Sequence, residues 1–94
     1  MFYVYMLTSK PHGTIYVGMT SDLLKRMWEH KNRVVPGFTN RYGVDRLVWF
    51  EAHHSHEAAL RREKQIKEWR RDWTINLIEC ENQYWADLSE GLAL

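Results

Sequence analysis

Tyr3-Val4-Tyr5-Met6-Leu7, then Ser9-Lys10-Pro11-His12-Gly13, then Thr14-Ile15-Tyr16-Val17-Gly18: the reading of this opening stretch decides the fold. Two short runs of β-branched and aromatic residues flank a segment of turn formers, which predicts a β-hairpin. Alternation puts Tyr3, Tyr5 and Leu7 on one face of the first strand and Phe2, Val4 and Met6 on the other. On the second strand Ile15, Val17 and Met19 share a face, while Tyr16 and Gly18 share the opposite one. Both faces are apolar, so the hairpin is expected to be covered on both sides. Buried phenols need hydrogen-bond partners, which makes Tyr5 and Tyr16 either paired core residues or part of a site.

The surrounding composition limits the alternatives. Ninety-four residues make one small domain, 1–94, and 45% hydrophobic content with five Trp and five Tyr can fill a modest core. A single cysteine, Cys80, excludes an internal disulfide and predicts a reducing, cytoplasmic setting. Met1 leads straight into strand-like sequence, and no apolar run has transmembrane length, so no membrane association is expected. All thirteen Lys and Arg lie at or before Arg71, against eight acids in residues 1–74, and only acids follow. A basic body of this kind is compatible with phosphate binding, although solvated cations are ordinary on any small surface.

Further along, Thr20-Ser21-Asp22 is a capping signal for a helix from Leu23 to Lys31. Leu23, Leu24, Met27 and Trp28 are its expected buried stripe, and Asp22, Arg26 and His30 step by four along an adjacent face. Arg26 is read there as an ion-pair partner of Asp22, or as half of a site with His30. Asn32 to Gly43 reads as an irregular loop that carries Arg41 and either connects or drapes over a ligand. Asp45 to Ala52 is a third strand. His53, His54 and His56 follow; with no cysteine nearby, a solvated loop is expected rather than zinc. Ser55 caps a second helix running to about Trp69, and Asp72 caps a third with Trp73, Ile75, Leu77 and Ile78. Trp85 and Leu88 are expected to fold back onto the core.

Glu63 falls on the apolar face of the second helix, four residues after Ala59 and three before Ile66. A carboxylate facing a core needs a metal, a water pocket or a partner such as Lys67. The run Arg61 to Arg71, with Lys64 within it, is basic with aromatic punctuation and could follow a phosphate backbone.

These residues, in this order, resemble the GIY-YIG nuclease superfamily, and in particular its small stand-alone single-domain bacterial type. Tyr3-Val4-Tyr5 corresponds to the first triplet of the name and Tyr16-Val17-Gly18 to the second. Arg26 and His30 match the family's Arg-x-x-x-His pattern, and Ala59-Leu60-Arg61-Arg62-Glu63 its helix with the acidic metal ligand. The chain departs from the name at Tyr3, Val4 and Val17. The resemblance implies an α+β fold: a small three-stranded antiparallel sheet in β-β-α-β-α-α order with flanking helices. It also implies a divalent-metal-dependent endonuclease on DNA, branched or damaged, in repair or recombination. In that reading Glu63 holds Mg²⁺ (with Mn²⁺ able to substitute), Arg26 holds the phosphate, Tyr5 or Tyr16 orients or deprotonates the water, and His30 shares in that proton transfer or positions a tyrosine. Lys25, Arg41, Arg61, Lys64 and Asn76 are candidate nucleic-acid contacts, with Asn76 standing for the polar residue the family carries after its acidic helix. The chain could act as a monomer or a homodimer, with specificity from its own surface or from a protein partner. The alternatives are a nucleic-acid-binding module of the same fold with little or no activity, and a protein-interaction domain using the Trp-rich C-terminus.

Overall fold

Strand β1 (Phe2–Thr8) is the centre of the sheet, with β2 (Ile15–Thr20) on one side and β3 (Arg46–His53) on the other, all antiparallel. The computed structural model describes residues 1–34 and 43–92. Five consecutive residues of β1, Val4 to Thr8, are buried, because both faces of the sheet are covered. Val4 and Met6 pack with Ala59 and Ile66 of α2 (His56–Lys67) and Ile78 of α3 (Arg71–Glu81). Tyr5 and Leu7 pack on the other face with Leu23 and Met27 of α1 (Leu23–Lys31). A one-residue slip of β1 would exchange these two sets, so the alternation fixes the register. The predicted α+β fold and its β-β-α-β-α-α order are what the structure shows, with a 3₁₀ turn, Leu88–Gly91, added at the end.

The local signals explain the boundaries. Asp22 caps α1 by accepting from the Lys25 N–H at 3.1 Å, and Thr20 Oγ1 accepts from the Asp22 N–H at 3.1 Å. Ser55 caps α2 through the Ala58 N–H at 3.1 Å. Each such cap is worth about 1 kcal/mol. Other expectations need correction. Leu24 and Trp28 are 54% and 60% exposed, because α1 turns Leu23, Met27 and His30 inward instead. Arg26 pairs with Glu29 at 3.7 Å, whereas the Asp22 carboxylate is taken by the cap. Helix α2 ends at Lys67, short of Trp69, and α3 starts at Arg71 with Arg70 at the cap, leaving Asp72 in the first turn.

The chain beyond α3 closes the free edge of β3. Asn82 Nδ2 donates to the Val48 carbonyl at 3.1 Å, the Leu47 N–H donates to Asp87 Oδ1 at 3.3 Å, and Arg46 donates to the Trp85 carbonyl at 3.0 Å. Asp87 is held in turn by Lys31 at 2.6 Å and by the Ser89 hydroxyl at 2.6 Å. Trp85 enters the core beside α2 and α3, while Leu88 joins the opposite cluster. Both close the core as expected, one on each face.

Candidate active site

The β1–β2 register sets Tyr5 directly opposite Gly18. A Cβ at Gly18 would stand 2.6 Å from the Tyr5 hydroxyl, 2.7 Å from Tyr5 Cζ and 2.9 Å from Tyr16 Cε2. Only the bare backbone of Gly18 lets the Tyr5 ring lie across β2 beside Tyr16. Helix α1 supplies the third ring, with Tyr5 Oη 3.1 Å from His30 Nε2. Ring centroids are 6.2 Å apart for Tyr5–Tyr16 and 5.9 Å for both Tyr5–His30 and Tyr16–His30. The sequence places Gly18 in the second triplet and on the face of Tyr16 but gives it no role of its own; the signal for one was a glycine inside a strand two residues after Tyr16.

Electrostatics separate the members of this cluster. Burial pushes the Tyr5 phenol well above its ordinary range; Tyr16 and Glu63 add to the rise, and Arg26 opposes it. Tyr5 therefore stays a neutral hydroxyl. Burial, helped by Arg26, lowers the pKa of His30 below its usual 6.5, against a smaller opposing pull from Glu29. His30 is neutral at physiological pH. Arg26 and Glu63 thus both act on the Tyr5 phenol, with opposite sign. The Arg26 Nε is buried without a hydrogen-bond partner, since Glu29 at 3.7 Å lies beyond bonding distance. Arg26 and Lys25 also line a polar cleft of about 300 Å³ with Thr20, Asp22 and Glu29.

Glu63 sits inward on α2, its side chain 15% exposed, with Lys67 Nζ at 3.7 Å as its ion-pair contact. Among the described residues no group of three or more His, Cys, Asp or Glu could hold a metal. A lone carboxylate is a poor donor set for zinc, and it suits a hard cation that keeps most of its waters. Glu51, by contrast, is occupied by His53 at 2.7 Å and Arg62 at 3.1 Å. Arg61 and Lys64 lie apart from the ring cluster, lining a shallow surface with Glu57 and Leu60. Asn76 is exposed on α3, and the buried asparagine of this region is Asn82. Arg41 lies outside the described residues.

A cleft of about 460 Å³ adjoins the cluster between β2 and the α2–α3 junction, and Tyr16 and Lys67 both line it. The family model for the GIY-YIG catalytic domain matches residues 1–76. The chain belongs to the GIY-YIG family. A UPF0213 protein of Clostridium perfringens is 34% identical over 82 residues, covering 87% of each chain. One from Staphylococcus saprophyticus is 32% identical over 76 residues, covering 81% of this chain and 92% of that one. The solution NMR structure of a UPF0213 protein from Bacillus halodurans superposes with a TM-score of 0.58 at 28% identity, covering 96% of both chains. UPF0213 proteins are small stand-alone members of the GIY-YIG family. The GIY-YIG domain is typical of endonucleases, which generally use divalent metals and act on DNA. No helix among the described residues is long and apolar enough to cross a membrane.

Proposed function

We propose that this GIY-YIG chain is a divalent-metal-dependent endonuclease that hydrolyses phosphodiester bonds in DNA. The supporting observation is the convergence of Tyr5 and Tyr16 over Gly18 with His30 against both rings, and with Arg26 and Glu63 both acting on the Tyr5 phenol. Hydrolysis joins a water oxygen to phosphorus and breaks the bond to the leaving oxygen. The water proton must go to a base, and the leaving oxygen must gain one.

Of the two tyrosines, Tyr16 handles the water, because Tyr5 is 1% exposed and kept protonated while Tyr16 is only partly buried. Tyr5 and the neutral His30 orient Tyr16 and give the proton a hydrogen-bonded route away from it. Arg26, on the polar cleft it lines, brings its planar donor fork to the non-bridging phosphate oxygens. Glu63 would hold one Mg²⁺, or Mn²⁺ in its place, and the bound cation supplies charge stabilisation at the phosphate.

The test is a panel of single-stranded, duplex and branched DNA with Mg²⁺ or Mn²⁺, comparing wild type with Glu63→Ala and Arg26→Ala. Metal-dependent nicking by wild type alone, with both variants folded, is the expected result. Binding of every substrate with steep salt dependence, but no cleavage of any, would replace the enzyme with a binding module.

A further inference from the structure

The cleft of about 460 Å³ beside the cluster is the size of a small-molecule site and too small for a base pair with its backbone. Its walls are apolar: Ile15 and Val17 from β2, Ile66 from α2, and Trp69 from the connection to α3. Two cations, Lys67 and Arg71, also line it, and among the described residues no carboxylate does. Arg71 is held in place by two bonds of 2.7 Å from its guanidinium to the carbonyls of His12 and Gly13. Trp69 is likewise fixed, with the Arg62 guanidinium 5.3 Å from its ring centroid and Trp73 edge-on at 6.2 Å. A rigid indole between apolar walls and cations has the chemistry of a platform for a nucleobase carrying its phosphate.

We propose that this cleft is a nucleobase subsite. It takes the base of one nucleotide next to the scissile phosphate, with Trp69 as the flat contact and Lys67 and Arg71 facing the flanking phosphate. The assignment rests on the nuclease reading for its position, since Tyr16 belongs to both the cleft and the ring cluster. A base can reach Trp69 only after leaving its stack, so the favoured substrate has an unpaired or easily unpaired nucleotide beside the cut.

The experiment is an NMR titration of the ¹⁵N-labelled chain, without divalent metal. One probe is a thymidine tetranucleotide; the other is an abasic tetramer with the same sugar–phosphate backbone. The expected result is that the thymidine probe shifts the Trp69 indole N–H and the Ile15 and Thr74 amides, with the abasic probe binding on the order of tenfold more weakly. Trp69→Leu, which keeps apolar bulk and is checked for folding by its amide dispersion, should erase that difference. Equal binding of the two probes, or shifts that spare Trp69, would overturn the subsite. DNA cleavage with an unmoved Trp69 removes the subsite and leaves the nuclease; base-dependent shifts at Trp69 without cleavage do the reverse.

Discussion

Gly18→Ala should both destabilise the chain and disarm the ring cluster, although general propensity argues the other way. Gly18 does not have a positive φ, so alanine fits its backbone and should gain about 0.4–1 kcal/mol from a stiffer unfolded chain. Against that, the new Cβ would lie 2.6 Å from the Tyr5 hydroxyl and 2.7 Å from Cζ. Comfortable contact is about 3.5–4.0 Å, so the ring must retreat by roughly 1 Å. The phenol cannot flex away, being 1% exposed and held against His30 and Tyr16. Overpacking of this kind costs about 1–3 kcal/mol, and it outweighs the entropic gain. The net loss of about 1–2 kcal/mol should lower Tm by about 4–16 °C in thermal unfolding followed by circular dichroism. Moving the cluster by roughly 1 Å should also slow cleavage by about 10²-fold. In a Tyr5→Leu background the same substitution should cost far less, a coupling that a double-mutant cycle measures. If Gly18→Ala matches wild type in Tm and rate, the close-approach argument is wrong.

Three further outcomes follow from the same geometry. Tyr16→Phe should reduce kcat by about 10²–10⁴-fold; Tyr5→Phe should reduce it less but destabilise by about 1 kcal/mol, because it removes the buried Tyr5–His30 hydrogen bond. The reverse ranking would assign the water to Tyr5. His30, whose pKa is lowered on folding, is neutral in both states above pH 6.5; below it the unfolded chain takes up a proton that the folded chain does not. Stability should therefore fall as pH drops through about 6.5, and urea titrations of His30→Gln should show a shallower fall; an unchanged slope would refute the assignment. Asp87→Ala should cost about 1–2 kcal/mol by releasing Lys31, Ser89 and the Leu47 N–H, read as a lower urea midpoint at neutral pH. The burial of Asp87 raises its carboxyl pKa, but the bonds from Lys31 and Ser89 win and lower it below 3.8, so the Asp87 contribution should be lost on acidification below that value.

Much of the architecture was readable because the chain states it locally. The hairpin alternation assigned Tyr5 and Val4 to opposite faces, and both sit where that pattern put them. Asp22 and Ser55 announced their helices through hydrogen bonds that span three residues. Helix α1 was harder, since Leu23/Met27 and Leu24/Trp28 are two apolar rows at the same spacing, and spacing alone cannot say which row turns inward. The contact of His30 with Tyr5 decides it, by bringing the row of Leu23 and Met27 down with it. The clasp on β3 was beyond local reading, because Asn82 meets Val48 and Asp87 meets Leu47 only once the sheet exists. The site divides in the same way. Its rings lie on elements that the sequence announces, whereas the room that holds them depends on a cross-strand pairing of Tyr5 with Gly18.

The clasp also bears on how this protein can be cut. The family model ends at residue 76, inside α3 and before Asn82, Trp85 and Asp87. An excised fragment ending there would keep every member of the ring cluster and still lose the cover of its outer strand. Strand β3 would then present the Leu47 N–H and the Val48 carbonyl bare beside the emptied seat of Trp85, a template for pairing with a second chain. For this fold, the shortest piece that carries the ring cluster and the shortest piece that covers its outer strand are different lengths.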